Sequence, residues 1–125
     1  MVPKWIKPFY IFAGLVDAIF GILFVSIPLE IFKAVNIPPP NHLGYIQFSG
    51  CLLIVFGIMF FNIAANPVAN RNLIIYGVLL KISYCSVVFS YWLTKGLPSM
   101  WVYFAFMDLG FLLMFLLSAK ALKKT

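Results

Sequence analysis

Charged side chains are scarce in this sequence. Asp, Glu, Lys and Arg make up 10% of its 125 residues, whereas a soluble domain carries about 25%. Acidic residues are the scarcest of these, with three in the whole chain. So few charges cannot cover a water-facing surface, which excludes a soluble globular domain. Hydrophobic residues make up 64% of the chain and its mean hydropathy is +1.06, which indicates an integral membrane protein.

Residues that bind metals or act as nucleophiles in recognisable patterns are also rare. The two cysteines, Cys51 and Cys85, form no C-x-x-C pair, and the single histidine, His42, has no second histidine or acid at ligand spacing. The sequence contains no Ser-His-Asp arrangement and no glycine-rich phosphate loop. We therefore expect no catalytic residue, no metal and no cofactor, and we favour a protein that is not an enzyme.

Long apolar runs are abundant, and four of them can cross a bilayer. Each is close to the ~20 residues that an α-helix needs to span ~30 Å of hydrocarbon, and a helix satisfies its own backbone in lipid. The runs cover residues 9–27, 43–65, 73–93 and 98–119. The first run is too long for the core of a signal peptide, and no A-x-A-like cleavage site follows it. The sequence therefore predicts an all-α integral membrane protein with four transmembrane helices.

The connections between these runs predict how the helices are arranged. Two of the three are short, so consecutive helices should be antiparallel neighbours in an up-down-up-down four-helix bundle. The bundle would be one transmembrane domain, residues 1–125. The longest connection, residues 28–42, opens with LEIFKAV, which separates Leu29 and Phe32 from Glu30 and Lys33. This pattern predicts a short amphipathic segment at the membrane interface.

Basic residues are distributed unequally between the two predicted sides. Lys33 and Lys95 lie on one side. The other side carries six: Lys4, Lys7, Arg71, Lys120, Lys123 and Lys124. The positive-inside rule then predicts that both termini are cytoplasmic, with the protein in the inner (plasma) membrane. The net charge of +6 should contact lipid headgroups rather than nucleic acid.

Two further sets of residues have predicted roles in the membrane. Tryptophan and arginine at helix ends are typical headgroup anchors, and small residues at helical spacing let helices approach closely. The predicted anchors are Trp5, Arg71, Trp92 and Trp101. The predicted packing residues are Gly14, Ala18, Gly21, Gly50, Gly57 and Gly77.

Three charged residues lie within the predicted spans, at similar depth. Counted from the helix ends, Asp17, Lys81 and Asp108 all fall near the middle of the bilayer. A lone charge there costs at least about 2.5–3.5 kcal/mol, so a bundle that brings the three together is favoured. Tyr84, one turn after Lys81, can donate a hydrogen bond to this buried polar cluster.

Two amides on the second helix could extend the predicted cluster into a polar path. Gln47 lies towards the outer end of that helix and Asn62 towards its inner end. Two roles stay open for the cluster. It could hold helices in register, or it could be a functional site that relays a proton or ion or binds a polar group.

The second half of the chain resembles a known group of proteins. NPVANRNLIIYGVLLK, the Leu97-Pro98 pair and MDLGFLLMF, within residues 66–115, resemble small bacterial four-helix membrane proteins of DoxX-like type. In that pattern a basic residue, here Arg71, ends the turn before a G-x-x-x-K helix, here Gly77 and Lys81, and an acid, here Asp108, lies in the last helix. The resemblance implies a four-helix bundle that sometimes associates with membrane oxidoreductases. It supplies no catalytic residue.

Three functions are compatible with the sequence. The protein could be an accessory or structural subunit, in a homo-oligomer or with other membrane subunits in the lipid bilayer. It could be a small proton- or ion-linked transporter that uses the cluster. It could also bind a lipid, quinone or isoprenoid, because an aromatic-lined pocket with a few polar groups suits such a molecule.

Overall fold

The described part of the molecule is helical. The computed structural model describes residues 2–123, and these contain helices, turns and no β-strand. The helices are α1 (Ile6–Ser26), α2 (Pro28–Ala34), α3 (Leu43–Ala65), α4 (Ile74–Thr94) and α5 (Ser99–Lys123), with a 3₁₀ turn at Arg71–Leu73. Helices α1, α3, α4 and α5 are long and apolar enough to cross a membrane. The predicted fold class is confirmed, and the chain is a multi-pass membrane protein.

Two helix boundaries differ from the predicted ones by three residues or more, each for a local reason, and the others agree to within one residue. Helix α1 begins at Ile6 rather than at residue 9, because Pro8 lies in its first turn, where a missing N–H breaks no helical bond. Helix α5 continues beyond residue 119 to Lys123. Lysines are stable in a last turn because they offset the negative end of the helix dipole, and the added turn extends beyond the hydrocarbon.

The connection at residues 28–42 contains the short helix α2. Pro28 occupies its first turn, and Phe32 is buried with its ring 6.4 Å from that of Phe24 on α1. Glu30 and Lys33 are exposed, as the sequence predicts, but Leu29, which the sequence groups with Phe32, is exposed as well. Asn36, with φ of 59°, ends the helix. The Asn36 and Ile37 amides donate to the carbonyls of Lys33 and Phe32, in the Schellman pattern.

The chain forms two compact units. The N-terminal unit is residues 7–65 and holds α2, α3 and all but the first residue of α1. The C-terminal unit is residues 66–123 together with residues 2–6, and it holds α4 and α5. The single transmembrane domain over residues 1–125 stays a prediction.

In the N-terminal unit, α1 and α3 pack against each other backbone to backbone. A Cβ atom added to Gly21 would lie 2.5 Å from the carbonyl oxygen of Gly50, and one added to Gly57 would lie 2.9 Å from that of Gly14. Ala18 also lies at this contact, because a Cβ added to Gly57 would lie 3.2 Å from the Cβ of Ala18. The early residues of α1 face the late residues of α3, so the two helices are antiparallel.

In the C-terminal unit, α4 and α5 pack through one buried face each. The buried residues of α4 recur at spacings of three and four, as do those of α5, which is the pattern of an amphipathic helix face. At the centre of the contact the Cys85 thiol lies 3.4 Å from the Ala105 carbonyl oxygen. A thiol can reach a backbone oxygen on a neighbouring helix only where a small residue such as Ala105 lets the two helices approach closely.

Candidate functional site

A buried ion pair joins α4 to α5 in the C-terminal unit. The Nζ atom of Lys81 donates a hydrogen bond to Oδ1 of Asp108 at 3.1 Å. Lys81 is 2% exposed and Asp108 is 8% exposed. Each residue lies within one turn of the middle of its helix. The pair therefore lies at the depth of the hydrocarbon core of a bilayer.

The surroundings of the pair are mostly apolar. The ring of Phe111, one turn after Asp108, has its centroid 5.3 Å from Lys81 Nζ, at cation–π distance. On the C-terminal side of Lys81 in α4, Cys85 and Val88 pack against Val102 and Ala105 of α5. In such surroundings an ammonium and a carboxylate stabilise each other much more than they would in water.

Tyr84 lies one turn after Lys81, but its hydrogen bond goes elsewhere. The hydroxyl donates to the backbone carbonyl of Trp101 at 3.0 Å. The hydrogen bond that Tyr84 could donate to the charged cluster is instead accepted by the start of α5, because a phenol has one proton to donate. Tyr84 instead links α4 to α5 more than a turn away from the ion pair along α5. Gly77, one turn before Lys81, is buried on the same face of α4.

Asp17 is the third member of the predicted cluster and lies in the N-terminal unit. It is 4% exposed and stands on α1 between Gly14 and Gly21, next to Ala18. This burial agrees with the prediction that Asp17 lies inside the protein rather than facing lipid. The expectation that Asp17 meets Lys81 and Asp108 stays a prediction.

The two amides of the predicted polar path have different environments. Gln47 is half-buried, and its side-chain amide donates to the carbonyl of Val25 at 3.2 Å. Val25 lies in the last turn of α1, where carbonyls have no partner within the helix, so Gln47 supplies one. Asn62 is exposed near the end of α3. The continuous path that the sequence suggests stays a prediction.

The predicted headgroup anchors lie at helix ends. Trp5 immediately precedes α1, and Trp92 lies in the last turn of α4, with its ring 6.0 Å from that of Phe89. Trp101 lies in the first turn of α5 and is half-buried. Arg71 begins the 3₁₀ turn before α4, and its Nη1 donates to the Leu122 carbonyl at 3.1 Å. These positions are compatible with the interface, but their role as anchors stays a prediction.

His42 acts locally at the start of α3. Its Nδ1 accepts a hydrogen bond from the backbone N–H of Gly44 at 3.0 Å, which caps one of the unpaired amides of the first turn. Among residues 2–123, no three His, Cys, Asp or Glu side chains lie close enough together to hold a metal ion.

Two features of the C-terminal unit were missed by the sequence reasoning. One is Phe111 beside the ammonium, which its position one turn after Asp108 could have indicated. The other is a cleft at the end of α5, lined by Arg71, Ala119, Lys120 and Lys123. The spacing of the two lysines, three residues apart on one helix, was visible in the sequence, but the approach of Arg71 was not. Lys124, which belongs to the same basic side, lies outside the described residues.

The Lys81–Asp108 pair can do two things chemically. It can hold α4 and α5 in one register, because any other register would separate two buried charges. It can also exchange a proton between carboxylate and amine, since a neutral pair is an accessible state in a desolvated site.

Comparison with models of known families, with curated proteins and with solved structures finds no match for this chain.

Proposed function

We propose that this protein is an accessory, structural subunit of a membrane assembly, built from copies of itself or with other membrane subunits. The Lys81–Asp108 contact supports the structural part of the proposal, and the exposed apolar surfaces of both units support the assembly. A buried ammonium is satisfied by a buried carboxylate 3.1 Å away and by the Phe111 ring. This is the geometry of a contact that specifies helix pairing.

The energetics support a structural role for the pair. An unpaired charge in hydrocarbon costs at least about 2.5–3.5 kcal/mol. A shifted register of α4 and α5 would separate Lys81 from Asp108 and would incur this cost for each of them. Apolar packing alone gives no such penalty, because lipid tails are as apolar as leucine. The pair therefore selects one register out of several that would pack similarly well.

The outer surfaces of both units suit the lipid bilayer and further membrane subunits. Large apolar side chains are exposed along the helices of each unit, among them Phe48 on α3 and Leu113 on α5. In water such surfaces would aggregate, whereas in a membrane they contact acyl chains or neighbouring helices.

The proposal includes a family and a location. Arg71, Gly77, Lys81 and Asp108 support a DoxX-like affiliation, and the contact between the last two fits a pattern with a base and an acid in successive helices. The excess of lysine and arginine on one side supports an inner (plasma) membrane protein with cytoplasmic termini.

Native mass spectrometry tests the proposed assembly. Membrane patches are excised directly with an amphipathic polymer, so that subunits keep their lipid and their neighbours. We expect the protein part of the particle, with the mass of bound lipid subtracted, to be heavier than the 14.2 kDa monomer. A monomer alone, at a range of expression levels, would contradict the proposal.

A second function is favoured by one observation, the contact between two titratable groups on neighbouring candidate membrane spans. Proton- or ion-linked transport would use the exchange of a proton between Lys81 and Asp108. Flux into liposomes tests this, with Asp108→Asn as the variant and Tyr103→Phe, which alters an exposed hydroxyl on α5, as the control. Flux that is lost only in Asp108→Asn would replace the structural proposal by the transport one. Equal flux in both would exclude the pair from transport.

A further inference from the structure

A basic cleft lies at one end of the C-terminal unit. Its lining residues are Arg71, Ala119, Lys120 and Lys123, and its volume is about 470 Å³. The three charged residues come from two separate elements. Arg71 begins the 3₁₀ turn before α4, whereas the two lysines lie in the last turns of α5.

The arrangement of the cleft is fixed by the periodicity of α5 and by one hydrogen bond between residues distant in sequence. Lys120 and Lys123 are three residues apart on a helix, so they lie on the same face. The Arg71 guanidinium is held against the end of α5 by its hydrogen bond to the Leu122 carbonyl at 3.1 Å. That carbonyl is one of the last four of α5, which have no partner within the helix. The bond therefore positions a cation beside the two lysines.

The cleft has no nearby carboxylate side chain from its own unit. Within residues 2–6 and 66–123, the one acidic side chain is that of Asp108, which pairs with Lys81. Asp108 precedes Lys120 by twelve residues on α5, which is about 18 Å along the helix axis. Three cations in one cleft repel each other, and Asp108 is too far away to offset that repulsion.

The position of the cleft indicates the class of anion. Helix α5 has 25 residues and is about 37 Å long, whereas the hydrocarbon core is about 30 Å thick. Asp108 lies within a turn of its middle, so the lysines at its end lie at the level of lipid headgroups. At that level the abundant anions are phosphates, which arginine and lysine bind through charge-assisted hydrogen bonds.

We infer that this cleft binds a phosphate group, carried by the headgroup of an anionic phospholipid. The guanidinium supplies a planar donor fork, the two ammonium groups supply point charges, and Ala119 leaves room for the headgroup between them. The inference stands on the cleft alone, so it does not depend on the proposed structural role of the Lys81–Asp108 pair.

Lipid titration of the full chain in detergent, followed by native mass spectrometry, tests the inference. The probes are phosphatidylglycerol, which is anionic, and phosphatidylcholine, which is not. The main variant is Lys120→Gln/Lys123→Gln, because it keeps Arg71 and its bond to α5. The matched control is Lys33→Gln/Lys95→Gln, which removes the same charge from α2 and from the opposite end of α4.

We expect the Lys120→Gln/Lys123→Gln variant to bind phosphatidylglycerol roughly 25-fold more weakly, since each cation contributes a factor of about five. The control should bind like the unmodified chain, and phosphatidylcholine binding should not change in either variant. Equal binding of phosphatidylglycerol by the main variant and the control would overturn the site.

A final arm separates a lipid from a free anion. Inorganic phosphate is added at millimolar concentration to the complex with phosphatidylglycerol. Retention of the lipid supports a headgroup site. Displacement of the lipid would overturn the lipid assignment and identify a site for free phosphate.

Discussion

The ammonium of Lys81 lies 3.1 Å from the carboxylate of Asp108, and this contact links the middle of α4 to the middle of α5. The two charges are buried together and share an apolar environment with Phe111. A contact of this kind has a property that can be measured. Losing one partner strands the other, whereas losing both strands neither.

The first prediction concerns that asymmetry. Lys81→Met alone should destabilise the protein by about 3–5 kcal/mol, because Asp108 is left buried without its cation. The double variant Lys81→Met/Asp108→Leu should lose much less stability, since two apolar side chains fill the same space. Reversible unfolding in mixed micelles, followed by circular dichroism, measures both. Equal losses in the single and double variants would show that the pair does not stabilise the contact between α4 and α5.

The second prediction concerns the contact between α1 and α3. Gly21→Ala should weaken it, because the new Cβ would lie 2.5 Å from the Gly50 carbonyl oxygen and the backbones would have to separate. We expect a loss of about 1–3 kcal/mol, the usual cost of overpacking.

Gly110→Ala is the matched control for this glycine contact. Gly110 lies within α5, where a Cβ would meet nothing within 4 Å, so the same substitution should be neutral or stabilising. The readout is the denaturant midpoint in mixed micelles. If Gly21→Ala and Gly110→Ala shift it alike, the close approach of α1 and α3 is not important for stability.

The third prediction concerns the hydroxyl of Tyr84. Tyr84→Phe removes one hydrogen bond, to the Trp101 carbonyl, and keeps the ring. Hydrogen bonds between membrane helices contribute about 0.6 kcal/mol on average, so a loss of that size is expected. Tyr103→Phe, which changes a side chain that is 71% exposed, is the control. A loss above about 2 kcal/mol in Tyr84→Phe would indicate that the hydroxyl also supports the buried charges.

Several features of this protein were determined by its sequence. Apolar runs of about 20 residues have one stable form in lipid, the helix, so α1, α3, α4 and α5 could be located without a structure. The glycines at positions 14, 21, 50 and 57 could be assigned to helix contacts, because small residues are where membrane helices approach. The burial of Lys81 and Asp108 followed from their depth within these runs.

Other features depended on the tertiary structure. The contact between Lys81 and Asp108 depends on the register of α4 against α5, and the register depends on many small packing contacts that no local pattern encodes. The same is true of Tyr84, whose hydroxyl bonds to Trp101 rather than to the charges, and of Arg71, which meets the end of α5. Spacing along a helix shows which residues share a face, but only the packing of one helix on another decides which side chains meet across it.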